Sequence, residues 1–92
     1  MKLSIVVPTK DYEEGLKSCL MSIKSQSYKN YEIIVVGVDE RAKTIAKRFG
    51  ARFYLDRERT IGNSYQVGAA NARGDVIVFI DDDCVAPKGW LG

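Results

Sequence analysis

The sequence predicts an α/β fold in three layers, a parallel sheet of about four strands with three helices packed on it. Three observations predict it. Short β-branched apolar runs alternate with longer stretches whose apolar residues recur at helical spacing. The alternation runs strand–helix three times and then ends on a strand, which implies βαβ crossovers and a parallel sheet. The last run, Val76-Ile-Val-Phe-Ile80, has no polar break and meets three carboxylates at once, Asp81, Asp82 and Asp83. An unbroken run of that length reads as a strand buried on both faces, as in a sheet covered by helices.

Taken in order, Leu3 to Val7 is the first strand, and Pro8, which lacks an amide hydrogen, is expected to close it. After the loop Thr9-Lys10, Asp11 can cap a helix, with Glu14 three residues on in capping-box spacing. Leu16, Cys19, Leu20 and Ile23 fall at i, i+3, i+4, i+7 on one helical face, with Lys17, Ser18, Lys24 and Ser25 on the other. Ser27 to Asn30 is the turn, and Tyr31 to Val36 the second strand, ended by Gly37. Ala42, Ile45, Ala46 and Phe49 give a second helix, and Gly50 is its C-terminal stop. Ala51 to Leu55 is a weaker strand, interrupted by Arg52 and expected near an edge. Asp56 to Thr60 is a charged, irregular stretch. Gly62 to Arg73 is a third helix whose small residues, Gly68, Ala69, Ala70 and Ala72, let it lie close to a sheet; Gly74 stops it.

Composition narrows the function. The 92 residues suit one domain, 1–92, and 46% hydrophobic with 28% charged is ordinary globular composition. A net charge of +2 is too balanced for a nucleic-acid partner. The sequence has no histidine, which excludes an imidazole base and a His-ligated zinc site. Cys19 and Cys84 form no CxxC pair, and the apolar N-terminal run is too short for a leader; both point to a reduced, cytoplasmic protein. No stretch approaches the roughly 20 apolar residues of a membrane span.

The acidic triplet carries the chemistry. Three adjacent carboxylates repel one another unless water or a cation neutralises them, and carboxylate oxygens suit hard cations, Mg2+ or Mn2+. In open parallel sheets ligands bind beyond the carboxyl ends of the strands. A cation held there fills its other positions with water and substrate phosphates, and can bridge a diphosphate and stabilise it as a leaving group.

Val6-Val7-Pro8-Thr9, the helix end Ser22-Ile23-Lys24-Ser25-Gln26-Ser27-Tyr28, Tyr31-Glu32-Ile33-Ile34-Val35-Val36, and Gly74-Asp75 through Asp83 together resemble family 2 glycosyltransferases of the GT-A fold. The resemblance runs from Leu3 to about Pro87. It implies a Rossmann-like GT-A half-domain with strand order 3-2-1-4 and a nucleotide-diphospho-sugar donor of UDP or GDP type. It also implies that Pro8, Thr9, Asp11, Tyr12 and Glu13 line the nucleoside pocket and that Asp39 contacts the base. Arg59 and Gly62 then stand near the diphosphate. The triplet corresponds to the DXD-type motif, with Asp81 and Asp82 on the donor nucleotide and Asp81 and Asp83 on the metal.

Departures from the pattern fall in two places. Gly37-Val38-Asp39-Glu40-Arg41 is two residues shorter than the usual loop, and Tyr65-Gln66 replaces an Arg-Asn pair, leaving Arg57, Arg59 or Arg73 as substitute cations. The family continues well past the triplet, where it supplies the acceptor surface and a carboxylate base. The chain is therefore expected to be a donor-binding half that does not itself transfer sugar. With that half missing, Val76 to Ile80 becomes an edge that invites pairing with a second copy.

Two other functions fit parts of the sequence. Asp81-Asp82-Asp83-Cys84-Val85 also matches the Asp-x-Asp-x-Thr/Val signature of haloacid-dehalogenase-like phosphatases, with Asp81 and Asp83 as nucleophile and acid/base. A scaffold that keeps the fold and binds nothing is the non-enzymatic alternative.

Overall fold

The computed structural model describes residues 2–9, 13–37, 40–56 and 61–80. Within them the elements run β1 (Leu3–Thr9), α1 (Glu13–Lys24), β2 (Tyr31–Gly37), α2 (Arg41–Arg48), β3 (Arg52–Leu55), α3 (Ile61–Asn71) and β4 (Val76–Phe79). The strands form one sheet in the order β3-β2-β1-β4, and every neighbouring pair is parallel. The sequence expectation of a four-stranded 3-2-1-4 sheet with three helices is met.

Period-two alternation assigns each strand residue to a layer. Ile5 and Val7 of β1, with Ile33 and Val35 of β2, pack under α1 and α2. The intervening Val6, Ile34 and Val36 face the other way, against Val67 and Ala72 on the α3 side. Both faces of the two central strands are thus covered, which is why their sequences read as continuous apolar runs. The α1 stripe is the deepest part of the core: Leu16, Cys19, Leu20 and Ile23 are each at most 1% exposed. Truncating one of the larger of these to alanine costs about 2–5 kcal/mol. Gly50 takes φ +73° just after α2, the left-handed turn expected of a helix stop.

A partly buried polar network closes the sheet at the N-terminal ends of the strands. Ser4 and Glu32 are register partners on β1 and β2, and the Ser4 hydroxyl donates to the Glu32 carboxylate at 2.5 Å. Arg52 of β3 donates to the same carboxylate at 2.5 Å and to the Asn71 carbonyl at 2.8 Å. The Arg73 backbone N–H donates to Glu32 at 2.6 Å, and the Gly74 N–H to Ser4 Oγ at 2.8 Å. Burial pushes the Glu32 carboxyl up, but the hydrogen bonds from Ser4, Arg73 and Arg52 and the Arg52 charge outweigh it and hold the pKa at about 2. Arg52, an interruption in the strand pattern, is the residue that lets this edge strand bind the floor of the sheet.

Three expectations are corrected. Pro8 does not close β1; it lies inside the strand, paired in register with Val36. The Val6 carbonyl accepts from Ile80 N–H at 3.1 Å, so even-numbered residues of β1 direct their backbone groups toward β4. The β4 register ends at Val6, and the missing Pro8 amide therefore costs no ladder bond. Second, α3 stops at Asn71, two residues early: the Ala72 N–H turns back to the Ala69 carbonyl at 3.3 Å, and the Arg73 and Gly74 amides are taken by Glu32 and Ser4.

Third, β4 is not buried on both faces. Val76, Ile77 and Phe79 are 39%, 39% and 43% exposed. β4 is the last strand of the order, and α3 lies chiefly over β1 and β2. The Tyr65 ring of α3 reaches Phe79, with centroids 4.7 Å apart at a 58° tilt.

Candidate functional site

Chain topology singles out one end of the sheet. Successive strands step outward from β1 to β2 to β3, and the chain then returns to the other side of β1 to form β4. The helices divide accordingly, α1 and α2 on one face and α3 on the other. Such a reversal opens a crevice between the two strands that flank it, at their carboxyl ends. Here those strands are β1 and β4, side by side through the Ile80–Val6 hydrogen bond. From Ile80 the chain passes directly to Asp81.

The rim of that end is built from described residues of four elements. Thr9 ends β1, 5% exposed, in register with Gly37 at the end of β2. Gly37 is held tightly: a Cβ there would stand 2.9 Å from Phe53 Cε1 and 3.3 Å from Ala42 Cβ. Asp56, just past β3, extends the ladder with its N–H on the Gly37 carbonyl at 2.7 Å. Its carboxylate, fully buried, accepts from Asn63 Nδ2 and Ser64 Oγ in the first turn of α3, each at 2.5 Å. Gly62, in the same turn, is exposed and, among the described residues, has nothing within 4 Å of a built Cβ.

Among the residues read from the sequence as donor contacts, Pro8, Thr9 and Gly62 fall on this rim. Glu13 opens α1 just beyond it, its side chain outside the described set. Asp11, Tyr12, Asp39, Arg59, Asp81, Asp82 and Asp83 lie outside the described residues. Among the described residues no group of three or more His, Cys, Asp or Glu side chains could hold a metal ion. The chemistry of the triplet still fits the expected ion, since three carboxylates supply only hard oxygen donors, with no soft or imidazole ligand among them.

Arg73 is removed from the candidates for the diphosphate. It sits at the opposite end, with its N–H on Glu32, and Glu32 is five residues of β2 from Gly37, roughly 16 Å at strand rise. Tyr65, which stands in place of an expected cation, is occupied by Phe79. Sequence reasoning missed Asp56 with Asn63 and Ser64. Asp56 read as the start of a charged loop. The available signal was an acidic residue ending a strand shortly before Asn and Ser at a helix start, the residue types that fix helix N-termini.

The model of glycosyl transferase family 2 matches residues 4–92. The chain belongs to glycosyl transferase family 2. The glycosyltransferase GlyA of Streptococcus pneumoniae is 33% identical over 89 residues, which cover 89% of this chain and 13% of GlyA. Among solved structures, glucosyl-3-phosphoglycerate synthase of Mycobacterium tuberculosis, in complex with Mn2+, UDP and glucosyl-3-phosphoglycerate, superposes with a TM-score of 0.72 at 26% identity, over 96% of this chain and 36% of its own. The mannosyltransferase PcManGT of Pyrobaculum calidifontis, in complex with GDP-Man and Mn2+, gives a TM-score of 0.80 at 19% identity, over 95% of this chain and 29% of its own, and shows the fold.

This family 2 chain thus spans little more than a third of these relatives at most. Membership removes the phosphatase alternative, because the match extends over the same acidic residues that it needed. Among the described residues of this family 2 domain, no helix is long and apolar enough to cross a membrane.

Proposed function

We propose that the chain binds a nucleotide-diphospho-sugar, of UDP or GDP type, through Mg2+ or Mn2+ at the crevice between β1 and β4. The observation that carries this reading is the reversal of strand order at β1, beside the strand that leads into Asp81-Asp82-Asp83. The M. tuberculosis relative, crystallised with Mn2+ and UDP, supports the ligand class. Asp81 and Asp83 would hold the ion, and Asp81 and Asp82 would face the nucleotide. When bound, the ion supplies charge to neutralise the diphosphate, so that it can leave as the glycosyl group is transferred. Pro8, Thr9, Asp11, Tyr12 and Glu13 would border the nucleoside, Asp39 the base, and Arg59 and Gly62 the diphosphate.

On this reading residues 1–92 form a single donor-binding domain of a cytoplasmic glycosyltransferase. The β4 edge associates with a second copy.

Titration of UDP and GDP into the chain, with Mn2+ and then with a chelator, tests the reading. Saturable binding that requires the metal and is lost in Asp83→Ala, with the far-ultraviolet circular dichroism unchanged, is expected. Absence of binding by the unaltered chain, or binding indifferent to chelator, overturns it.

A further inference from the structure

We propose that Asp56 is a positioning residue for the donor pocket, a buried carboxylate that fixes the first turn of α3, with Gly62, against the end of β2. The proposal rests on the donor reading above and goes beyond it to a residue that does not touch the ligand, since Asp56 is 0% exposed.

Placing a carboxylate in the interior costs several kcal/mol unless its oxygens are well hydrogen-bonded. A core serving only to fill space would take an apolar residue or an amide of the same size here. The Asp56 carboxylate is instead fully engaged, with Asn63 Nδ2 on Oδ1 and Ser64 Oγ on Oδ2, both at 2.5 Å. Its negative charge also lies at the N-terminal end of α3, where the helix dipole favours it.

The geometry of these bonds matters more than their number. They come from consecutive residues of one helical turn, whose side chains diverge by about 100° around the axis. Gripping both restricts rotation of the helix about its axis as well as its distance from the sheet. The Asp56 N–H is bonded at the same time to Gly37, whose own position is locked by Phe53 and Ala42. Asp56 thus joins the ends of β2 and β3 to the start of α3. Further along, α3 is held to β1 at Gly68 and to the floor of the sheet at Asn71. The first turn is where the orientation of Gly62 is set, and displacement of a binding group by about 1 Å is enough to weaken a preorganised site severely.

The test is metal-dependent UDP and GDP affinity, measured by calorimetry on the folded chain alongside thermal unfolding. Asp56→Asn keeps the shape but replaces a charged group that accepts from both partners with an amide that can accept from Asn63 only while donating to the Ser64 hydroxyl, and is expected to weaken binding about tenfold, the equivalent of one good hydrogen bond. Adding Asn63→Asp restores an acceptor–donor pair with the roles exchanged, and is expected to return the affinity to within about threefold of the original. Ser64→Ala is the milder variant for the case in which Asp56→Asn does not fold, with an expected loss of about threefold. A purely structural staple lowers the melting temperature and leaves the affinity of the folded molecules unchanged; that result in Asp56→Asn or Ser64→Ala overturns the proposal while the donor reading stands. Absence of binding by the unaltered chain overturns both.

Discussion

Gly68 of α3 lies against Val6 of β1 so closely that a Cβ on the glycine would stand 2.3 Å from the valine Cγ1. Val6 is fully buried in a central strand and has no room to withdraw. Gly68→Ala is therefore expected to destabilise the fold by about 1–3 kcal/mol through overpacking, although alanine is favoured over glycine in a helix by about 1 kcal/mol. Chemical denaturation of Gly68→Ala, and of Gly68→Ala combined with Val6→Ala, checks the assignment. The second change removes the colliding methyl groups, so the paired loss should be smaller than the sum of the single losses.

The Glu32 carboxyl titrates at about 2 in the folded chain against an ordinary 4.5. A carboxylate whose pKa is depressed by folding contributes its stability above the unfolded value, and loses it as the pH falls through the folded one. The window for Glu32 is thus pH 4.5 down to about 2. The contribution above that window is at most about 3–4 kcal/mol, since each tenfold change in proton affinity corresponds to about 1.4 kcal/mol. Glu32→Gln keeps the shape and removes the titration. Unfolding free energy measured between pH 7 and pH 3 should fall less steeply in Glu32→Gln than in the unaltered chain, and equal slopes would remove Glu32 from the acid response.

Elements that bury a regular stripe were legible from the sequence. The α1 face at Leu16, Cys19, Leu20 and Ile23 and the turn glycine at Gly50 lie where periodicity and turn chemistry put them. The misreadings share one cause. Whether Pro8 breaks a strand, where α3 ends, and whether Val76 to Phe79 are covered all depend on which neighbour each segment meets. A local pattern does not encode that neighbour. Pro8 is tolerated because β4 stops short of it, and α3 ends before Arg73 because Glu32, 41 residues earlier, takes the Arg73 amide. The polar groups of the candidate site follow the same rule. Asp56 reads as loop until its partners in α3 are known, whereas Pro8, Thr9 and Gly62, named as donor contacts by the resemblance, stand at the carboxyl end of the sheet.

Gly62 provides a prediction that separates folding from binding. It lies one residue inside α3, with no positive φ and, among the described residues, nothing within 4 Å of a built Cβ. Gly62→Ala should therefore raise stability by up to about 1 kcal/mol, by lowering the entropy of the unfolded chain and improving helix propensity. If a diphosphate approaches the backbone there, the added methyl group enters the ligand's space. The expected outcome is a higher melting temperature together with weaker metal-dependent UDP or GDP binding. Equal affinity would place the diphosphate away from this turn.

The β4 strand exposes Val76, Ile77 and Phe79, and among the described residues no strand lies beside it on the side away from β1. Unpaired backbone groups beside exposed β-branched and aromatic side chains form a template for another strand. Parallel register with β1 puts Ile77 opposite Ser4 and Phe79 opposite Val6, on the α3 side, where the Tyr65 ring covers part of the surface. A lysine at 77 would put a charge on that face and oppose pairing, while disturbing little of the core, because Ile77 is already 39% exposed. Sedimentation at a concentration on the order of 100 μM, within the range where exposed strand edges associate, should show dimers or larger species for the unaltered chain and monomers for Ile77→Lys. A monomeric unaltered chain at that concentration would mean that the edge is protected, and would remove self-association from the account of this domain.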